Sequence, residues 1–174
     1  MAWHTFHRRG DVLRDVVSEV NLRCDGTLPT DMEGVADVFD GDLDLIGALQ
    51  LRWHTTLAGH IEAAFQSQPD DLTDAVVKAW RETADLLPGV RAVLDARRND
   101  PGTPEIAEAM LVATAKEHQM LALMSGRASR LDVEERGARV GSEIEASARE
   151  GHVLRARPAA AKGLLGRVRA HLVA

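Results

Sequence analysis

The sequence predicts an all-α protein, an up-and-down type bundle of four to six helices with a short C-terminal amphipathic helix. Apolar residues recur at alternating spacings of three and four, and no stretch shows sustained period-two alternation. Aromatic residues are scarce, with three Trp, three Phe and no Tyr, so Ala, Leu and Val supply most of the apolar positions. Segments rich in Gly, Pro, Asn and Asp separate the periodic stretches and predict the helix ends.

The first helix is predicted from about Phe6 to Cys24, where the breaker-rich turn DGTLPTD ends its apolar stripe. A short amphipathic piece follows at 31–40. The segment FDGDLDL then introduces a second long helix, which runs to about Ser67. Its alternating aspartates resemble the start of a calcium loop, but leucines stand at the sixth and twelfth positions, where Gly and Glu are needed. We therefore interpret Asp42 as the N-cap of this helix.

The third helix is predicted to start at a cap formed by Asp70 or Asp71 and to end at Arg98. Pro88 and Gly89 interrupt it, which predicts either a kink or two separate helices.

Two more long helices follow the connector NDPGTPE, which offers a threonine N-cap and a proline at the first helical position. The fourth helix is predicted to end at Ser125, and the fifth covers about 130–150. Gly137 and Gly141 lie on the weak stripe of the fifth helix, and such small residues permit the close approach of a neighbouring helix.

The chain divides by charge into a helical bundle domain at 1–150 and a basic segment at 151–174, a linker followed by a tail helix. The whole chain carries −6 and residues 151–174 carry +5, so the bundle carries −6 − 5 = −11. An acidic body opposes nucleic-acid binding. The tail could pack on that body, dock on a protein partner or a second copy, or lie on a membrane surface. Its candidate binding residues are Leu164, Leu165, Arg167, Val168, Arg169 and Leu172.

The composition of the chain and the absence of several motifs reduce the number of possible functions. The single cysteine, Cys24, excludes a disulfide within one chain and is expected to be a buried structural thiol. The amino terminus lacks the apolar core of a signal peptide, so a cytoplasmic protein is expected. No histidine lies three residues after a glutamate, which excludes the di-iron carboxylate motif, and no zinc-protease, phosphate-loop or nucleophile-elbow motif occurs. We predict no catalytic, cofactor-binding or metal-binding residues.

The segment DAVVKAWRETADLLPGVRAVLDA resembles the ligand-binding helices of tetracycline-repressor-type regulators over about 25 residues of amphipathic pattern. The chain as a whole resembles uncharacterised all-helical proteins of high-GC actinobacteria, a resemblance that implies no function.

A buried polar group is predicted where histidines and a glutamate fall on apolar helix faces. On a helical wheel His60 lies in the middle of the apolar stripe of the second helix with Trp53, and His54 lies at its margin. On the fourth helix Glu117 is surrounded by apolar residues, with His118 at the flank. Because a core carboxylate needs a partner, we hypothesise that Glu117 or His118 meets His60.

This group has three interpretations: a structural hydrogen bond that fixes helix register, a pocket that orients a ligand, or a metal or acid–base site. The sequence as a whole predicts a non-catalytic helical bundle that acts through binding. The predicted partner is another protein or a second copy of the chain. The alternative is a small-molecule- or metal-binding bundle that uses His54, His60, Glu117 and His118.

Overall fold

The computed structural model describes residues 2–157, and the side chains of residues 8–157. This part of the chain is all-helical and contains no strand, as predicted. Its seven helices are α1 (Ala2–Arg23), α2 (Val35–Val38), α3 (Gly41–Gln66), α4 (Leu72–Leu86), α5 (Pro88–Asn99), α6 (Pro104–Met124) and α7 (Val133–Arg149). None of these helices is both long and apolar enough to cross a membrane. The predicted tail helix, with Leu164, Leu165, Arg167, Val168, Arg169 and Leu172, lies outside the described residues.

The count of seven exceeds the predicted four to six because one turn at α2 is a helix of its own and the third predicted helix is two. The chain leaves helical geometry at Leu87, with φ −126° and ψ 50°, directly before Pro88. Proline at the first position of α5 lacks the N–H that would continue the ladder of α4. The break between the two helices therefore confirms the second of the two predicted outcomes.

The caps are as predicted at two helix starts and different at a third. The Asp71 carboxylate accepts hydrogen bonds from the first turn of α4, and the Thr103 hydroxyl accepts one from the first turn of α6. Asp42 is not the N-cap of α3, because the helix begins at Gly41 and Asp40 holds the N-cap position, two residues before the predicted one. Asp44 accepts a hydrogen bond from the Asp40 N–H and a bidentate pair from Arg9 on α1.

Two tryptophans, Trp53 on α3 and Trp80 on α4, lie at the centre of the bundle. Residues of α5, α6 and α7 pack against them. Trp53 and Trp80 are 0% and 1% exposed, and their rings meet edge to face at 5.5 Å between centroids. Trp53 was predicted to lie on the apolar stripe of its helix, and its burial confirms this. Cys24 is only half-buried at the end of α1; its partial burial raises the pKa of the thiol, which disfavours the reactive thiolate.

Helices α6 and α7 lie in close contact at the predicted small residues. A Cβ atom added at Gly141 would lie 2.2 Å from the carbonyl oxygen of His118, so the two backbones touch. This contact brings the residue one turn further along α7, Glu145, beside the His118 side chain.

Candidate functional site

A buried charge network runs through the bundle and joins α5, α6 and α7, and His54 on α3 contacts it at Glu117. It consists of three carboxylates and three guanidinium groups, whose formal charges cancel. Its members are Asp95, Glu117, Glu145, Arg91, Arg98 and Arg149, and we call this set the charge network. Exposure of Arg91 is 2% and of Glu117 3%, a depth at which an unpaired charge would destabilise the fold by several kcal/mol.

The deepest link of the network is the pair of Arg91 and Glu117. Arg91 Nη1 lies 3.4 Å from Glu117 Oε2, and Arg91 Nη2 lies 2.9 Å from Asp95 Oδ1. The Arg91 guanidinium also stacks over the Trp53 ring at 4.8 Å, and Trp80 Nε1 donates to Glu117 Oε1 at 3.3 Å. Burial alone raises the pKa of Glu117, but the hydrogen bond from His54 and the charge of Arg91 outweigh it, so its pKa is lowered and the carboxylate stays ionised.

The other end of the network is built around Glu145. Its carboxylate accepts from His118 Nε2 at 2.8 Å, from Arg98 at 2.9 Å and from Arg149 at 2.9 Å. Burial raises its pKa, yet these donors lower the pKa of Glu145 far below its usual range. Asp95 connects the two ends of the network, because it pairs with Arg91 and also binds Arg149 with both of its carboxylate oxygens.

The structure separates the four residues that the sequence predicts as one group. His54 Nε2 is 3.5 Å from Glu117 Oε2, so this pair meets. His118 binds Glu145 instead, and His60 Nδ1 binds the hydroxyl of Thr83 at 2.9 Å. The hypothesis that His60 meets Glu117 or His118 is therefore wrong: two different histidines serve two different carboxylates.

His60 is also only half-buried, in contrast to its predicted place in the core. The buried stripe of α3 repeats at every fourth residue, as Leu45, Leu49, Trp53, Leu57 and Ile61. Four residues turn the helix by about 400°, so this stripe winds around the helix by about 40° at each repeat. A fixed wheel centred on His60 misses this drift, which leaves His54 and His60 at opposite edges of the buried face.

Sequence reasoning missed Arg91 and Glu145, although both leave a signal. Arg91 lies four residues after Leu87 and three before Leu94, which places a guanidinium on the apolar face of α5. Glu145 follows Gly141 by four residues, on the stripe that packs against α6. The rule that a charge on an apolar face needs a buried partner applies to both.

The charge network opens to the surface at His54, on the floor of a groove of about 610 Å³ between α3 and α6. His54 Nε2 is 3.0 Å from Gln50 Nε2, and the buried Gln50 Oε1 has no hydrogen-bond partner.

A second groove, of about 710 Å³, lies between α1 and α3, and Leu43 and Leu51 line both grooves. These two side chains are 43% and 68% exposed. We call the surface formed by the two grooves the α3 face. It is apolar in its middle, with Gly47 and Ala48 beside the leucines, and charged at its margins.

Within residues 8–157, no group of three or more His, Cys, Asp and Glu side chains is placed to hold a metal ion. No family model, curated protein or solved structure matches this chain.

Proposed function

We propose that this chain is a non-catalytic cytoplasmic protein that acts through binding, and that the α3 face is where it associates with another protein molecule. The observation that carries this proposal is the continuous apolar surface that Leu43 and Leu51 form between two grooves. Exposed apolar surface that extends over adjoining grooves is typical of association sites. Grooves between helices are suited to an apolar helix face of the partner molecule.

The charges at the margins of the α3 face favour a second copy of the chain as that molecule. One groove is lined by residues 43–54 of α3 and 105–116 of α6, and His54 lies opposite Glu117, so the two helices run in the same direction. The up-and-down type of bundle is a part of this proposal. Glu105 and Glu108 consequently lie at one end of the face, and Lys116 lies at the other.

Arg52 lies at the same end of the face as Lys116, and none of these four charged residues forms an ion pair among residues 8–157. A two-fold axis through the middle of the face would bring the acidic end of one copy onto the basic end of the other. An isologous interface of this kind repeats each favourable charge pair twice.

Substitution of Leu51 by aspartate tests the face. Because Leu51 is 68% exposed, the change leaves the fold intact, but association would bury an unpaired carboxylate. We expect the dimer dissociation constant, measured by analytical ultracentrifugation, to rise by roughly 100-fold, which corresponds to about 2.7 kcal/mol. The control is Leu131→Asp, at a leucine that is 99% exposed outside both grooves.

Charge reversal tests whether the molecule bound at the α3 face is a second copy of the chain. The variant Glu105→Lys/Glu108→Lys and the variant Arg52→Glu/Lys116→Glu should each associate weakly with themselves, and an equimolar mixture should form heterodimers. A monomeric wild-type chain at ~100 μM, a concentration at which even a weak complex forms, would refute the second copy. Equal association of the Leu51→Asp and Leu131→Asp chains would refute the α3 face itself.

A second candidate function is the binding of a small molecule in the groove between α3 and α6. The buried, unpartnered Gln50 Oε1 beside His54 favours it, because pockets orient ligands with a few polar groups in an apolar lining. Native mass spectrometry of gently purified protein should then show an added mass that His54→Phe removes. A spectrum with only the bare polypeptide mass would rule this candidate out.

A further inference from the structure

The described chain ends at a fixed place, beside the C-terminal end of α4. The Arg157 N–H donates to the carbonyl oxygen of Asn21 at 2.8 Å, and the Asn21 side chain in turn accepts from the first N–H groups of α5. His152 binds Asp85 of α4 at 3.0 Å. The point from which residues 158–174 continue is therefore known.

A groove between α3 and α4 starts at this point. Arg157, His60 and Glu82 line its first part, of about 370 Å³. His60 and Glu82 also line its second part, of about 580 Å³, which extends to the N-terminal end of α4. We call the two parts together the α4 groove.

The α4 groove combines small apolar side chains with acidic ones. Ala63, Ala64 and Ala75 leave room for apolar side chains of another segment. The acids around them are Asp70, Asp71, Asp74, Glu82 and Asp85, against a single lysine, Lys78. Within residues 8–157, neither Asp70 nor Asp74 pairs with a basic group.

Residues 158–174 have the complementary composition. They carry three basic side chains and no acid, and their apolar residues repeat at helical spacing. As a helix these 17 residues would span about 25 Å, and the stretch of α4 from Asp85 back to Asp71 spans about 21 Å. The segment is thus long enough to cover the α4 groove from end to end.

The lengths also set the register of the charges. Arg167 lies ten residues after Arg157, about 15 Å along a helix. Asp74 lies eleven residues before Asp85, about 16 Å along α4. A helix that runs antiparallel to α4 from Arg157 consequently brings Arg167 and Arg169 to the acidic end of the groove.

We propose that residues 158–174 dock as a helix in the α4 groove of their own chain, with the apolar arc of the segment on the alanines and Arg167 and Arg169 against Asp70 and Asp74. Attachment at Arg157 gives the segment a high effective concentration at this groove. The proposal is independent of the α3 face, because the two surfaces have no residue in common.

A disulfide trap in the full-length chain tests the placement. In a Cys24→Ser background, Asp74→Cys/Arg167→Cys should form an intramolecular disulfide under mild oxidation, because docking brings the two Cα atoms within about 7 Å. The matched control is Glu134→Cys/Arg167→Cys, with the first cysteine on the exposed start of α7. A disulfide between two chains would show docking in trans and overturn the proposal, as would equal yields from the two cysteine pairs.

Trypsin provides a second readout without cysteines. Cleavage after Arg167 and Arg169 should be at least about tenfold faster in Asp70→Lys/Asp74→Lys than in the wild type, since protection follows the docked population. Glu134→Lys/Glu135→Lys makes the same change in net charge and should leave the cleavage rate unchanged. Protection that appears only with phosphatidylserine vesicles would assign the segment to a membrane surface instead.

Discussion

Replacing Glu117 by leucine is expected to lower the free energy of unfolding by about 3 to 5 kcal/mol, the range found when one partner of a buried ion pair is removed. Arg91 is 2% exposed, and the change leaves it with a single carboxylate partner, Asp95. It also removes the acceptor of the Trp80 indole N–H. Chemical denaturation of the purified variant measures the loss.

The double variant Glu117→Leu/Arg91→Leu is the control for this prediction. Removing both charges leaves no unpaired ion in the core, so the double variant should be more stable than Glu117→Leu alone. A Glu117→Leu chain that loses less than about 1 kcal/mol would show that the pair is not buried as described.

Acid should reduce the difference between the wild type and Glu117→Leu. The pKa of Glu117 is lower in the folded protein than in the unfolded chain, so its ionisation stabilises the fold above the unfolded pKa of about 4.3. This contribution is lost as the pH falls from there through the lower folded pKa. Glu117→Leu lacks this contribution, and the other carboxylates with a lowered pKa, such as Glu145, affect both proteins alike. The difference between the two stability curves should therefore shrink at low pH.

The role of the charge network bears on the proposed function. Its six charges cancel and its ion pairs link α5, α6 and α7. His54 on α3 contacts the network at Glu117 of α6, so the network helps to hold α3 and α6 in place relative to each other. Those two helices carry one of the two grooves of the α3 face. A rigid groove loses less conformational entropy when it binds, which is one way in which a costly buried network serves a binding protein.

The fold could be predicted from sequence further than the site. Helix type and most helix ends follow from local rules, such as a proline at the first position of α5 and the cap at Thr103. The partner of a buried charge depends on contacts between residues that are distant in sequence. Arg91 and Glu117 are 26 residues apart, and Glu145 and His118 are 27 residues apart. Helical phase can place each of these groups on an apolar face, but it cannot select which faces meet.

Substitution of Gly141 by alanine should be strongly destabilising, although alanine is the better helix former. The added Cβ would lie 2.2 Å from the carbonyl oxygen of His118 and 2.3 Å from its Cα, and neither atom can rotate away. The backbones of α6 and α7 would have to separate, which would also lengthen the 2.8 Å contact between His118 and Glu145. We expect a loss of about 3 kcal/mol, at the upper end of the usual effect of overpacking.

Gly59→Ala is the matched control, because Gly59 also lies inside a helix and nothing is within 4 Å of the added Cβ. There the helix propensity of alanine acts alone and should stabilise the protein by about 1 kcal/mol. Thermal unfolding of the two variants beside the wild type should thus move the midpoint in opposite directions. If both substitutions raised it, the close contact of α6 and α7 would be wrong, and with it the placement of Glu145 in the charge network.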